Sequence, residues 1–424
     1  MKKLCTLIGL SLLFSCAKEK DRVTNSEDYN KYLAILPAEN TSKYFELWNG
    51  KIKSDSIQTL ALGNVASEYN RFFKTSGEIQ YLKEAEQALQ KALDKAAIGK
   101  AGFLRALARN YIAQHRFKEA LELAQQARKM GSGVNASQSL LFDVHMELGN
   151  YKTASNYLDS IQNMSDFGYL IRVAKWSDHK GDLDTAIRFM EKAKEKADSS
   201  KNFGLRIWAY TNLADFYGHD GRIQDAYHHY LKALQLDPKN AYAKKGIAWI
   251  VFSYERNAGE ALRIIEAIEK TNQSPDLDLL KAEIAEYRKD DDAKQIALDN
   301  FYAKIQDKSY GVMYNTHNIE FLIENKKRTD TALDIAKEEI ANRATPETYD
   351  VLAYSYLKNG NTGKALEVME KHVRGKTFEP MAQYHMAQIY KANGQIDAVE
   401  SIKDELKGAS FELGPNMAKA IQEL

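Results

Sequence analysis

One four-residue pattern occurs twice in this chain at identical spacing. Ala214, Tyr217, Gly221 and Ala226 are separated by three, four and five positions, and Ala353, Tyr356, Gly360 and Ala365 repeat those intervals 139 residues later. A small residue and an aromatic three apart share one helix face. A glycine four further on ends that helix, because the left-handed conformation costs glycine little. The alanine after it opens a second helix, small enough for the two to approach closely and interlock. The unit is a helix–turn–helix of about 34 residues, and a unit of that size recurs in arrays, where each copy buries its apolar face only against its neighbours.

The array can be followed by the small residue early in each second helix. Ala85, Ala120, Ala154, Ala186, Ala226, Ala261, Ala332, Ala365 and Val399 lie at gaps of 35, 34, 32, 40, 35, 71, 33 and 34, and Ala297 falls near the middle of the long gap. This predicts ten units, the seventh the most degenerate. Unit six is shifted by one residue before Ala261. The last five prolines (Pro238, Pro275, Pro346, Pro380 and Pro415) follow the same period, as expected where proline is tolerated only at helix starts and turns. The least regular stretch is about 270–310. Its acidic run Asp290-Asp291-Asp292 reads as a loop. A hydrophobic content of 44% with 28% charged residues fits a folded, helix-rich body rather than a disordered chain. The expectation is one elongated domain.

Residues 207–240 carry the pattern most fully: Tyr210, Leu213, Ala214 and Tyr217, then Gly221, Ala226, Tyr230 and Ala233, with Leu236-Asp237-Pro238 as a stop. Residues 101–130 match through Ala108, Tyr111, Phe117, Ala120 and Ala127. These positions resemble the tetratricopeptide repeat (TPR), and the resemblance runs over roughly residues 57–405. It implies an all-α fold, an α-solenoid or TPR superhelix of about ten helix-turn-helix repeats, occupying 41–424 with capping helices at both ends. In that family the first helix of each unit lines a concave groove. Carried over by register, the groove positions include Arg105, Arg109, Lys175, Trp208, Asp215, Tyr354 and Tyr384. The resemblance implies a protein or peptide ligand there. Arg105 and Arg109 share a helix face and, with Lys175, are candidates to hold a carboxylate or an acidic peptide. The chain departs from the chaperone-type carboxylate clamp, which pairs lysine with asparagine.

The N-terminus is a different object. Lys2 and Lys3 precede an apolar run from Leu4 to Phe14, too short to span a bilayer but suited to a secretory signal. Leu13-Phe14-Ser15-Cys16 resembles the bacterial lipobox. The resemblance implies a signal peptide over 1–15, a lipidated Cys16, and a tether over 16–40 holding the rod by its tip. Cys5 and Cys16 are the two cysteines, so a mature chain would have no intrachain disulfide. Ala17 stands where an inner-membrane retention signal would have aspartate, which favours the outer membrane, at its periplasmic face or the cell surface.

Catalytic and metal motifs are lacking. Gly360-Asn361-Thr362-Gly363-Lys364 is followed by Ala365 and preceded by Lys358, so it fails the phosphate-loop pattern and reads as the turn of unit nine. His219, His228 and His229 do not share a helix face, and Asp178, Asp182 and Asp184 miss the calcium-loop spacing. No enzyme activity, cofactor or metal is expected. Without Lys2 and Lys3 the chain has 57 basic and 58 acidic residues, with no basic stripe for nucleic acid. The function expected is a lipid-anchored TPR scaffold or adaptor for protein–protein interaction at a Gram-negative envelope. The alternative is an outer-membrane glycan-binding lipoprotein similar to the starch-utilisation class, whose long Trp-, Asn- and Gly-rich loops this chain lacks.

Overall fold

The computed structural model describes residues 22–34, 41–53 and 58–424. The signal segment and Cys16 lie outside them. Two short helices come first, α1 (Ser26–Leu33) and α2 (Lys43–Asn49). Ten antiparallel hairpins follow: α3 (Thr59–Ser76) with α4 (Ile79–Lys95), α5 (Lys100–Ala113) with α6 (Phe117–Lys129), α7 (Val134–Glu147) with α8 (Tyr151–Ser160), α9 (Phe167–His179) with α10 (Leu183–Ser199), and α11 (Phe203–His219) with α12 (Ile223–Leu236). The second five are α13 (Ala241–Trp249) with α14 (Ala258–Glu269), α15 (Asp276–Tyr287) with α16 (Asp291–Ile305), α17 (Asn315–Glu324) with α18 (Thr329–Asn342), α19 (Pro346–Lys358) with α20 (Thr362–His372), and α21 (Pro380–Ala392) with α22 (Ile396–Leu406). A last helix, α23 (Gly414–Gln422), caps the end. Among the described residues there is no strand, and no inserted loop interrupts the hairpins.

The small residues that set the register are all buried. The nine alanines and Val399 are at most 2% exposed, so each hairpin closes through a contact that a larger side chain would hold apart. Each of the ten turns carries one residue with positive φ. It is glycine in units one, three, four, five, nine and ten, but His115, Arg256, Lys289 and Lys327 in the others. Pro346 and Pro380 start α19 and α21. The one-residue shift in unit six has a physical form: Ile250–Tyr254 is a π-helical turn, which absorbs an inserted residue while keeping α13 packed on α14.

Two expectations change. The stretch around 290 is a regular hairpin rather than a loop: Asp290 caps α16 by accepting from the Ala293 amide at 3.0 Å, and Asp291 and Asp292 lie in the first turn. Acidic residues there complement the positive end of the helix dipole. Residues 22–34, expected within the tether, are not free chain. Glu255 accepts from the amides of Val23 and Thr24 at 2.8 and 2.6 Å, and Tyr29, 1% exposed, donates to Glu260 at 2.7 Å. Helix α1 packs on α12 and α14, the second helices of units five and six.

The solenoid is also wound rather than extended. Turns in the first units touch loops roughly five to six units further on. The Gln273 amide donates to the Ser76 carbonyl at 2.6 Å, and Asn272 Nδ2 to the Thr75 carbonyl at 2.9 Å. Arg343 stacks over Phe117, its guanidinium carbon 5.4 Å from the ring centre. Trp249 Nε1 and Ser253 Oγ donate to the Phe411 carbonyl at 3.1 and 2.6 Å. Gly77 and Gly149 meet the opposing backbone so closely that a Cβ would lie 2.6 Å from Ser274 N and from Ala344 O respectively.

Candidate ligand-binding site

Winding brings the first helices of units five to ten around a cavity of about 810 Å³. Its wall comes from α11, α13, α15, α17, α19 and α21, with one or two residues each from α12, α16 and α23. Asp215, Tyr354 and Tyr384 meet here, three of the side chains that the sequence nominates. Asp215 accepts from the hydroxyls of Tyr230 at 2.5 Å and Tyr242 at 2.7 Å, and burial raises its carboxyl despite those bonds. Tyr354 is buried rather than an exposed anchor. Its hydroxyl donates to Glu324 and its ring stacks on His385 at 3.9 Å. Tyr384 accepts from Gln388 Nε2 at 2.8 Å.

The other nominated residues lie elsewhere. Lys175 lines a second cavity of about 440 Å³, and Glu147 neutralises it at 2.7 Å. Burial works against charge on Lys175, but Glu147 outweighs it and holds the ammonium above its ordinary value. Arg105 is engaged by the Ser132 carbonyl at 2.8 Å and Ser137 Oγ at 3.2 Å. Arg109 is reached by water yet enclosed by neighbouring helices. Burial lowers its guanidinium, opposed by Asp143 and reinforced by Arg172 and Arg105. Trp208 is 37% exposed and meets Phe167 edge-on at 5.8 Å, outside both cavities. The three cations thus do not converge as a free carboxylate clamp, because Arg105 and Lys175 already have partners.

The main cavity is instead rich in carboxylates. Its three lysines are paired: Lys245 with Asp276, Lys294 with Glu286 at 3.0 Å, and Lys358 with Glu324 at 3.4 Å. Glu283 and Glu320 remain. Burial, with Glu286 beside it, pushes the Glu283 carboxyl up to about 8. Burial also raises Glu320, with His317 and His385 opposing and Asp350 and Glu324 adding to the rise. Among the described residues neither side chain has a hydrogen-bond or ion-pair partner. Behind this wall His385 Nδ1 meets Asp350 Oδ2 at 2.9 Å. Burial opposes charge on His385, and Asp350 more than compensates, holding the imidazole above its ordinary value. The second cavity is acidic too: burial, with Glu412, Asp178 and Glu347 nearby, lifts Glu379 to about 7. Among the described residues no three His, Cys, Asp or Glu side chains form a metal-sized group.

Sequence reasoning missed Glu283 and Glu320 because they sit in units seven and eight. There the turn glycine is replaced by Lys289 and Lys327, and the consensus register cannot be carried across. Their acidic residues in first helices were the available signal.

Residues 209–240 match the family model of the tetratricopeptide repeat, the unit from which the register was read. No curated protein matches the chain. Among solved structures it is similar to a tetratricopeptide repeat protein from Parabacteroides merdae, at 16% identity and a TM-score of 0.39, covering 55% of this chain and 92% of that one. It is also similar to human IFIT1, a dimer with m7Gppp-AAAA, at 15% identity and a TM-score of 0.46, covering 74% and 71%. Both scores fall below 0.5, and no ligand of those proteins transfers to this chain. The chain is a tetratricopeptide-repeat-containing protein with an α-solenoid fold.

Proposed function

We propose that this protein is a lipid-anchored interaction scaffold of the bacterial envelope, held on the outer membrane through Cys16 and receiving a protein or peptide partner in its lumen. The tetratricopeptide-repeat fold is in general a non-enzymatic scaffold for protein interaction. The observation that carries the reading is the lumen itself: six first helices turn side chains inward around a cavity of about 810 Å³, within the size range of ligand sites. Its surplus of carboxylates disfavours nucleic acid, whose phosphates need cations.

The docked segment changes where the anchor would act. Residues 22–34 lie on second helices, away from the cavity that first helices line. Cys16 is six residues before Arg22, so the chain between them spans at most about 20 Å. A lipid at Cys16 therefore holds the solenoid by the flank of units five and six, not by its tip, and leaves the lumen free for a partner.

The test has two arms. Cys16→Ser is expected to move the protein from the membrane to the soluble fraction, and persistent membrane association refutes the anchor. A photoreactive side chain at Tyr384 is expected to crosslink a protein neighbour in cells, while one at Lys118 on α6, outside the cavity, does not. Equal labelling from both positions refutes the lumen as the partner's site.

A further inference from the structure

The main cavity presents hydrogen-bond acceptors with no donors to meet them. Glu283 and Glu320 are unpaired, as described above. Gln388 Oε1 is a third acceptor: it is buried and without a partner, although Gln388 Nε2 is satisfied by Tyr384. A buried acceptor left unmet costs about 1–3 kcal/mol, which holds for Gln388 Oε1, while Glu283 and Glu320 are half-buried and face the cavity without a protein partner, so this lining favours a donor from outside. The same wall carries π faces. Tyr242 is about half exposed, and Trp249, Phe321 and Tyr384 also line the space. Ring faces attract cations and gain strength where water is excluded. No lysine of the cavity wall competes, since each is already held by a carboxylate.

We propose that this cavity binds an alkylammonium or guanidinium group, received by the Glu283 and Glu320 carboxylates and Gln388 Oε1 against the aromatic wall. The inference rests on the lumen being the ligand face and adds the chemistry of what enters it. Cationic N–H donors match acceptors of this kind, and a cation beside Glu283, whose carboxyl is protonated at neutral pH in the empty cavity, draws that proton off, whereas a carboxylate or phosphate would meet like charge. The group has two sources, a lysine or arginine side chain on a partner's peptide or a free diamine. The walls are the same for both.

The experiment is isothermal titration calorimetry on the full-length protein in detergent. The probes are 1,5-diaminopentane, a lysine-containing peptide, the same peptide with its lysines acetylated, and a glutamate-containing peptide. The diamine, the lysine peptide or both are expected to bind. The Glu283→Gln/Glu320→Gln double variant is expected to weaken that binding at least about tenfold, since charge-assisted hydrogen bonds are the strong ones. Both changes are isosteric and remove unpaired carboxylates, so the variant should fold, with circular dichroism as the check. Binding by the diamine alone assigns a small-molecule source; binding by the lysine peptide that acetylation abolishes assigns a protein source. The proposal is overturned if neither amine probe binds, if the double variant binds unchanged, or if the acetylated peptide binds equally well. Preferential binding of the glutamate peptide overturns the cation while leaving the lumen as a ligand site.

Discussion

Replacing Gly149 by alanine tests whether the solenoid is wound shut, and Gly221 supplies the control. Both glycines end the first helix of a unit at nearly the same φ, +73° and +75°. Alanine in that left-handed region costs about 1–2 kcal/mol at either site. Their surroundings differ. A Cβ on Gly221 meets nothing within 4 Å, whereas one on Gly149 would lie 2.6 Å from the Ala344 carbonyl oxygen and 3.2 Å from its carbon. Backbone cannot swing aside as a flexible side chain can, so the two layers must part. Overpacking of this kind adds about 1–3 kcal/mol. Gly221→Ala is therefore expected to cost about 1–2 kcal/mol and Gly149→Ala about 2–5 kcal/mol. The assay is urea unfolding followed by circular dichroism. Amide hydrogen exchange on residues 342–348 should show faster exchange only in Gly149→Ala. Equal losses in the two variants, with unchanged exchange at 342–348, would refute the claim that these turns touch.

Two further outcomes follow from the same geometry. Glu283 titrates near 8 in the folded chain against an ordinary value of 4.5, so the fold holds that proton more tightly than the unfolded chain does. Its contribution to stability is fully present below about 4.5, erodes as pH rises and is lost above about 8. Glu283→Gln is accordingly expected to match the parent protein near pH 4 and to be more stable near pH 9, by melting temperature; a constant difference would contradict the raised titration. Tyr29→Ala removes a buried ring and its bond to Glu260 from a helix of eight residues, at a cost of about 3–5 kcal/mol. Limited proteolysis is expected to clip the 22–34 segment rapidly in that variant while the hairpins stay intact, and unchanged resistance would show that the docking does not depend on Tyr29.

Much of the fold is legible in the sequence because close helix packing demands small residues. Alanine at the crossing point is a steric requirement, so Ala85 through Val399 mark all ten units even where the aromatic position is lost, as at Ser177. Turn glycines are a weaker marker, since His115, Arg256, Lys289 and Lys327 adopt the same positive φ and hide four turns. Winding was not legible at all. It depends on contacts such as Gln273 with Ser76, which join residues far apart in sequence and carry no periodic signal. The docking of α1 escaped for the same reason: Thr24 looks like an ordinary tether residue until Glu255 is beside it, and nothing near Tyr29 in sequence points to Glu260. The candidate site was half visible. Asp215, Tyr354 and Tyr384 follow from the repeat register, whereas the meaning of Glu283 and Glu320 comes from their having no lysine or arginine paired with them.

The central claim is that the solenoid is wound, with early turns closing on late loops. Spin labels at Asn150→Cys and Ala344→Cys, in a Cys5→Ser, Cys16→Ser background, measure it directly by pulsed electron resonance. Gly149 and Ala344 are in contact across the winding, so a single short, narrow distance is predicted. A long or broad distribution would mean an open, extended array and would contradict the winding.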